Sequence, residues 1–183
     1  MATPICTYGN PVLREIATPV AEVTDELRTL ADRMYGLMYS ADGIGLAAEQ
    51  IGRTMALFVL DVPARADLDE QGRALNPGVT MPMAVFNPKI MGACEETDVM
   101  EEGCLSFPEL QVAVTRPTEV VLRYLDRDGK EQTLNAKGLL ARAIQHENDH
   151  LNGVLLVDHM SAAARILKAG KLKRMVRQNK IAK

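Results

Sequence analysis

Residues 145–153 read Gln-His-Glu-Asn-Asp-His-Leu-Asn-Gly, with the histidines His146 and His150 four positions apart. In a helix of about 3.6 residues per turn, these side chains lie on the same face, one turn from each other. Glu147 then projects beside the pair. Two imidazoles with a neighbouring carboxylate are typical of a metal site whose carboxylate acts as an acid/base.

The residues before this segment favour a helix. Four apolar residues recur at helical spacing, namely Leu139, Leu140, Ala143 and Ile144. Asn152–Gly153 is a suitable C-terminal stop. The competing interpretation makes both histidines solvated or structural, which would be the better account of a lone histidine.

A helix supplies only two of the ligands, so a third must come from elsewhere. In the zinc-peptidase pattern His-Glu-x-x-His-x-x-Gly-x-x-His, Gly153 matches the glycine but Leu156 occupies the place of the last histidine. No acid follows Asp158, so a distant downstream glutamate is excluded. Asp158 and His159 have the wrong spacing for either pattern. We therefore expect the third ligand upstream.

Three cysteines lie upstream of the histidines. A thiolate is a strong ligand for a divalent transition metal, and metal binding holds it deprotonated. Cys6 lies in the N-terminal arm, and the carboxylates after Cys94 should disfavour a thiolate there. Cys104 follows a glycine in a small polar segment and is the best candidate, with a buried inert cysteine as the alternative. An odd number of cysteines without framework spacing fits a reducing compartment.

The composition is that of an ordinary soluble globular domain, with 183 residues, 47% hydrophobic and 25% charged. No apolar run reaches the length of about 18 residues that a membrane span needs. The N-terminus has neither the basic nor the apolar region of a signal peptide. We therefore expect a cytoplasmic protein with no membrane partner.

Charge is distributed unevenly along the chain. Residues 160–183 carry eight Lys or Arg and no acid, whereas residues 1–159 carry 13 basic and 24 acidic residues, a net charge of −11. A basic segment on an acidic body suggests an anionic partner, and a solvated helix face is the alternative. We take residues 1–160 as a single catalytic domain and residues 161–183 as a basic C-terminal helix extending from it.

The remaining pattern predicts an α+β fold, with antiparallel or mixed sheets packed around the central metal-binding helix and with N-terminal and C-terminal helices. A helix is expected over Asp25–Ala41, with Thr24 as N-cap. The expected strands are Met55–Asp61, Thr80–Asn87, Val112–Val114, Glu119–Leu125 and Lys130–Leu134, with a loop at Val62–Val79 and a hairpin turn at Asp128–Gly129.

Three segments, in order, resemble the three motifs of the peptide deformylases. They are residues 43–50 (Gly-Ile-Gly-Leu-Ala-Ala-Glu-Gln), 102–106 (Glu-Gly-Cys-Leu-Ser) and 145–150. The similarity continues through Arg116 and the hairpin at 126–129, so it covers roughly residues 4–160. It implies a bacterial-type hydrolase that removes the N-formyl group from the initiator formyl-methionine of nascent polypeptides and releases formate.

The resemblance also implies the roles of the site residues. Cys104, His146 and His150 would bind one divalent ion, Fe²⁺ in most members, with Zn²⁺, Ni²⁺ or Co²⁺ accepted. Glu147 would be the catalytic acid/base. Gln50 and the backbone N–H of Leu105 would lie around the oxyanion, and Gly45 is also counted among the catalytic residues.

Helix geometry indicates where a methionine side chain would bind. Leu139, Arg142 and Ala143 precede His146 by seven, four and three residues and so share its face. We expect an apolar pocket formed by these residues with Ile44, Met100 and Leu105. The charged head of Arg142 should stay in solvent at the rim. The extended segment Gly43–Leu46 would add the peptide as a strand, and Gly103 is also assigned to substrate binding.

Two departures from the family pattern concern the surroundings of the site. The segment Ala64–Val79 is longer than in compact members, and Gln111 stands where some relatives carry a basic residue. Formylated nascent chains appear at the ribosome, so we hypothesise that the basic helix docks on ribosomal RNA near the peptide exit without reading a base sequence.

The residues alone leave two other functions open. One is a metallopeptidase or other metal-dependent amidohydrolase with an upstream thiolate ligand. The other is a nucleic-acid-binding or ribosome-binding protein whose metal is structural.

Overall fold

The computed structural model describes residues 5–181, so the first four residues and the last two of the basic segment lie outside the described part. The helices are α1 (Asp25–Ser40), α2 (Gly138–Leu151) and α3 (Ala162–Ile181). The strands are β1 (Gly45–Ala47), β2 (Leu57–Leu60), β3 (Met83–Ala93), β4 (Thr97–Gly103), β5 (Gln111–Pro117), β6 (Glu119–Leu125) and β7 (Glu131–Lys137). The expected α+β class is confirmed.

The strands form two antiparallel sheets. Five of them pair in the order β1-β2-β3-β6-β7, and β4 pairs with β5 in a separate hairpin. β1 therefore lies at an edge of the larger sheet. β4 was missing from the expected strands because only one of its residues, Glu102, is buried, so it shows no apolar alternation.

The larger sheet is covered on both faces. Phe58 and Leu60 of β2 lie in the hydrophobic cluster formed with α2, whereas Leu57 and Val59 lie in the cluster formed with α1. Side chains alternate between the two faces of a strand, so every residue of β2 is buried. This explains why the sequence shows a continuous apolar run there.

Strand β3 continues past the end expected from the sequence. Pro88 and Gly92 lie inside it, although such residues usually weaken a strand. The register against β6 shifts between Phe86 and Lys89 and again between Ile90 and Gly92. These bulges accommodate both residues without ending the pairing.

The two predicted helix boundaries at α1 and α2 are confirmed. The Thr24 hydroxyl accepts a hydrogen bond from the backbone N–H of Leu27, at 3.4 Å, and caps α1. α2 ends at the C-cap Asn152. α2 buries its apolar face against the sheet, and this packing fixes the direction in which its opposite side chains project.

The loop between β2 and β3 is tied to the start of α2. Asn76 is buried in this loop, and its amide donates to the Lys137 carbonyl at 3.1 Å and accepts from the Lys137 N–H at 2.9 Å. The segment Ala64–Val79 thus contacts the element that carries the histidines.

Helix α3 packs on the rest of the protein. Leu172 and Met175 lie in a third hydrophobic cluster, together with Leu13. The Asn179 amide donates to the Tyr8 carbonyl at 2.7 Å. The helix runs without interruption through Gly170, although a glycine inside a helix usually weakens it.

Within residues 5–181, no helix is both long enough and apolar enough to cross a membrane.

Candidate active site

Three predicted ligands come together at one end of α2. The rings of His146 and His150 are 5.2 Å apart, and Sγ of Cys104 lies 3.2 Å from Nε2 of His150. The ligand atoms of these three residues all lie within 4.8 Å of one another. A thiol sulfur and two imidazole nitrogens are donors that suit a divalent transition metal, so this group could hold one.

The other candidates for the third ligand are engaged elsewhere. Nε2 of His159 lies 2.8 Å from a carboxylate oxygen of Asp149, and Asp158 pairs with Arg14. Sγ of Cys94 is bonded near the start of β6, where it accepts from the backbone N–H of Glu119 at 3.2 Å.

A nearby carboxylate, that of Glu119, does disfavour a thiolate at Cys94, but hydrogen bonds to the sulfur outweigh its effect. The Thr118 hydroxyl hydrogen-bonds its sulfur and lowers the pKa of the Cys94 thiol. Its chemistry therefore does not exclude it as a ligand; its position does.

A buried carboxylate holds the first histidine in place. Oε2 of Glu102 lies 2.9 Å from Nδ1 of His146. Arg116 donates to both oxygens of Glu102, at 2.7 and 3.0 Å, and also to Asp149 at 2.9 Å. A carboxylate on Nδ1 leaves Nε2 of His146 free to face a metal.

Glu102 was not assigned a role from the sequence. The available signal is its position two residues before Cys104, which places Glu102 at the end of β4 next to a predicted ligand. Its partner Arg116 lies directly across the hairpin from Asp98, and that register is not legible in the sequence.

The charges in the site follow from these contacts. Burial opposes ionisation of Glu102, but hydrogen bonds from His146 and Arg116 outweigh it and hold the pKa of that carboxyl well below its usual range. Burial also opposes charge on His146, yet hydrogen bonds to Cys104 and Glu102 raise its pKa well above the usual value. Burial and the positive charges of His146 and Arg116 lower the pKa of His150. Negative groups around His146 thus favour a cation at this place.

Glu147 is buried beside the predicted ligands. Its Oε2 has no hydrogen-bond partner within the described chain. Burial raises the pKa of Glu147 to about 7, while the charges of His146 and Arg116 act in the opposite direction. A carboxyl with this pKa can both accept and return a proton near neutrality.

Gly45 makes room for that carboxylate. A Cβ at this position would collide with Oε1 of Glu147. The absence of a side chain on β1 therefore lets Glu147 lie against the sheet edge.

The Gln50 side chain is also directed into the site. Its Oε1 accepts from the Ala47 N–H at 2.8 Å, which orients the amide. Its Nε2 donates to the Ser106 hydroxyl at 3.1 Å and lies 3.6 Å from Sγ of Cys104. Ser106, which was not singled out from the sequence, is fully buried.

A cavity of about 340 Å³ opens beside the ligands. All seven residues assigned to substrate binding line it, namely Gly43, Ile44, Met100, Gly103, Leu139, Arg142 and Ala143. Gly45, Gln50, Cys104, Leu105, His146 and Glu147 also line it. Asp42, Glu101 and Glu102 complete the lining and were not expected from the sequence.

The expected exposure of Arg142 is wrong. Only 5% of the surface of Arg142 is accessible to solvent. Its guanidinium donates to Glu102 at 2.6 Å and to the Val114 carbonyl at 3.1 Å. It also pairs with Asp98. Its charge lies inside the protein because the hairpin supplies carboxylates there.

Known proteins resemble this chain over nearly its whole length. The sequence model of the polypeptide deformylase family matches residues 2–165. A peptide deformylase of Salinibacter ruber is 47% identical over 177 residues, which cover 96% of this chain and 89% of that protein. One of Rhodopseudomonas palustris is 49% identical over 155 residues, 85% of this chain and 83% of that protein.

Solved structures agree with the sequence comparisons. The crystal structure of peptide deformylase from Ehrlichia chaffeensis superposes with a TM-score of 0.85 at 32% identity, covering 98% of this chain and 99% of the other. A peptide deformylase from Synechococcus elongatus in complex with actinonin gives 0.78 at 39% identity, covering 96% and 85%. With the cysteine and both histidines gathered at a cavity, these matches show that the chain belongs to the peptide deformylase family, hydrolases that remove the N-formyl group from nascent polypeptides.

Proposed function

We propose that Cys104, His146 and His150 hold one divalent ion and that this ion is Fe²⁺ in the native enzyme. Two imidazoles and a thiolate suit Fe²⁺, Zn²⁺, Ni²⁺ and Co²⁺ alike, so geometry supports a metal and the family resemblance supports iron. The hydrogen bond between Glu102 and His146 favours the ring orientation that ligation needs. When bound, the ion supplies a Lewis acid that makes water a nucleophile near neutral pH.

Glu147 is the catalytic acid/base in this proposal. It takes the proton of the attacking water and returns it to the amine that leaves as formate is released. Its support is a buried position beside the ligands and a pKa raised to about 7 by burial. Gly45 belongs to the catalytic group because it leaves the space that this carboxylate occupies.

The oxygen of the formyl group gains negative charge during the attack. The Gln50 side-chain amide and the Leu105 backbone N–H are the proposed donors to it. Gln50 is supported by the bond from Ala47, which fixes its oxygen and turns its NH₂ group toward Cys104 and Ser106.

The cavity is the proposed pocket for the methionine side chain. Ile44, Met100, Leu139 and Ala143 provide apolar walls, and Leu105 lies at the same opening. β1 is an edge strand, so Gly43–Leu46 can pair with an extended peptide through backbone hydrogen bonds that do not depend on its sequence. Gly103 allows close approach from the hairpin side.

The basic helix would hold the enzyme near the ribosomal peptide exit in the cytoplasm, where formyl-methionine appears. Lys173, Arg174 and Arg177 of α3 are exposed, and the helix carries no acid. Contacts of this kind with RNA release counterions and weaken as salt increases.

Charge reversal tests this docking better than truncation. Leu172 and Met175 are buried, so removing α3 would uncover apolar surface. A triple variant, Lys173→Glu, Arg174→Glu and Arg177→Glu, should keep activity on a short formyl-Met peptide and lose salt-sensitive ribosome binding. Unchanged ribosome affinity would contradict the proposal.

The observation that carries the catalytic proposal is the position of Glu147 beside the three ligands. Glu147→Gln should retain the metal and lower turnover of formyl-Met-Ala-Ser by at least about 10²-fold. The parent should not cleave the unformylated peptide, and actinonin, bound by the Synechococcus enzyme, should inhibit it. Full turnover by metal-loaded Glu147→Gln would refute the assigned role.

A further inference from the structure

Arg142 connects α2 to the β4–β5 hairpin at the wall of the cavity. The guanidinium donates to Oε1 of Glu102 at 2.6 Å and pairs with the carboxylate of Asp98. It also donates to two backbone carbonyls, those of Asp98 at 3.2 Å and Val114 at 3.1 Å. Both strands of the hairpin are therefore bonded to a side chain that is fixed on α2.

These contacts lie on either side of Met100. Asp98, Met100 and Glu102 occupy every second position of β4, so their side chains project from the same face of the strand. Met100 lines the cavity, and Arg142 is bonded to Asp98 and Glu102, the residues two positions before and two positions after it. The hairpin is not part of the five-stranded sheet, so its position over α2 depends on such contacts.

We propose that Arg142 and Asp98 are specificity-determining positioning residues: Arg142 clamps β4 around Met100 and thereby sets the width of the pocket for the formylated side chain. The inference rests on the proposed function in that it takes the cavity as the methionine pocket. Neither residue needs to react with the substrate for this role.

Arginine is suited to this clamp for a geometric reason. Its planar guanidinium presents five donors in a fixed fork, so it can bond Glu102, Asp98 and both carbonyls at once, whereas a lysine ammonium cannot. Glu102 keeps two bonds from Arg116 and its contact with His146 when Asp98 is removed. A change at Asp98 should therefore loosen the pocket wall and leave the metal ligands in place.

Asp98→Ala is the appropriate perturbation because the Asp98 side chain is 46% exposed and its loss leaves no buried charge without a partner. Glu95→Ala is the matched control, since it removes an exposed carboxylate from the connection between β3 and β4, three residues before Asp98. Each variant is assayed with formyl-Met-Ala-Ser, formyl-Phe-Ala-Ser and formyl-Ala-Ala-Ser, and its metal content is measured.

Asp98→Ala should lower the preference for formyl-Met over formyl-Phe, as the ratio of kcat/KM values, by about 3- to 10-fold, mainly through KM. Its metal content and its kcat on formyl-Met-Ala-Ser should match those of the parent, and Glu95→Ala should keep the parent ratio. An unchanged ratio in folded, metal-loaded Asp98→Ala overturns the inference. Loss of metal in that variant also overturns it, because the clamp would then act on the ligands.

A double-mutant cycle tests whether the two residues act through each other. Arg142→Lys should lower the same ratio, and adding Asp98→Ala to it should produce little further change. Additive effects would mean that Arg142 does not act through Asp98 and would overturn the clamp. A parent enzyme without preference among the three side chains would instead refute the proposed pocket itself.

Discussion

Replacing Glu49 with glutamine should make the protein more stable at neutral and alkaline pH. Glu49 lies in the 3-10 turn Ala48–Ile51, is fully buried, and has no hydrogen-bond partner for either carboxylate oxygen among the described residues. Burial, together with the negative charge of Glu147, raises the pKa of Glu49 to about 8; the N–H of its own backbone lies near enough to oppose this, but burial has the larger effect.

The sign of the effect follows from proton binding. Between pH 4.5, the ordinary pKa of a glutamate, and pH 8 the folded state holds a proton that the unfolded state releases. Over this window the free energy of unfolding falls by about 1.4 kcal/mol per pH unit because of this one group. The loss therefore reaches at most about 5 kcal/mol near pH 8 and is small near pH 5. A glutamine has no charge to desolvate and should remove this component.

Urea unfolding at several pH values, on protein with the same metal content, measures the effect. The free energy of unfolding of Glu49→Gln should exceed that of the parent by several kcal/mol at about pH 8 and by under about 1 kcal/mol at about pH 5. Glu70→Gln, in an exposed part of the loop, is the control and should follow the parent. Identical pH dependence in the parent and in Glu49→Gln would refute the reasoning, as would destabilisation at every pH.

Further predictions concern the catalytic centre. Gly45→Ala should keep the metal but lower kcat by about 10-fold or more, because its Cβ displaces the Glu147 carboxylate; Gly92→Ala, where a Cβ meets open space, is the control, and equal activity of both variants would contradict the steric argument. Cys104→Ala should lose the metal in elemental analysis while Cys94→Ala retains it, and the reverse result would mean that the third ligand is misassigned. Iron-loaded enzyme should lose activity in air faster than the nickel-loaded form, through oxidation of the iron and of Cys104; equal stability of the two in air would argue against an oxygen-sensitive iron centre.

Local features of the site can be predicted from the sequence. The pair His146 and His150 depends only on helical spacing, and α2 has that spacing because its other face packs on the sheet. The lack of a fitting downstream residue places the third ligand upstream, and the resemblance of residues 102–106 to a deformylase motif selects Cys104 from the cysteines there. The apolar run of β2 likewise shows a strand buried on both faces.

Features that depend on contacts between elements far apart in the chain cannot be predicted from the sequence alone. Glu102 is buried only because the hairpin lies against α2. Its partners on that helix, Arg142 and His146, follow it in the sequence by 40 and 44 residues. A long charged side chain usually extends into solvent. That of Arg142 is buried instead, because Asp98 and Glu102 of the hairpin pair with it there. The buried position of Glu49 has the same origin, since its turn packs where α2 and the sheet meet.

Three buried glutamates show how their surroundings decide what a carboxyl can do. Glu102 has two arginines and a histidine as partners, so it stays ionised and can orient His146. Glu147 has an oxygen without a partner beside the ligands, and burial moves its pKa to about 7, where it can exchange a proton. Glu49 has no partner at all among the described residues, and its pKa of about 8 keeps it neutral and without a role in holding the ligands. Hydrogen-bond donors therefore distinguish Glu102 from the other two glutamates. Glu147 and Glu49 differ in position instead, because only Glu147 lies beside the predicted ligands, where a proton can be exchanged with a bound molecule.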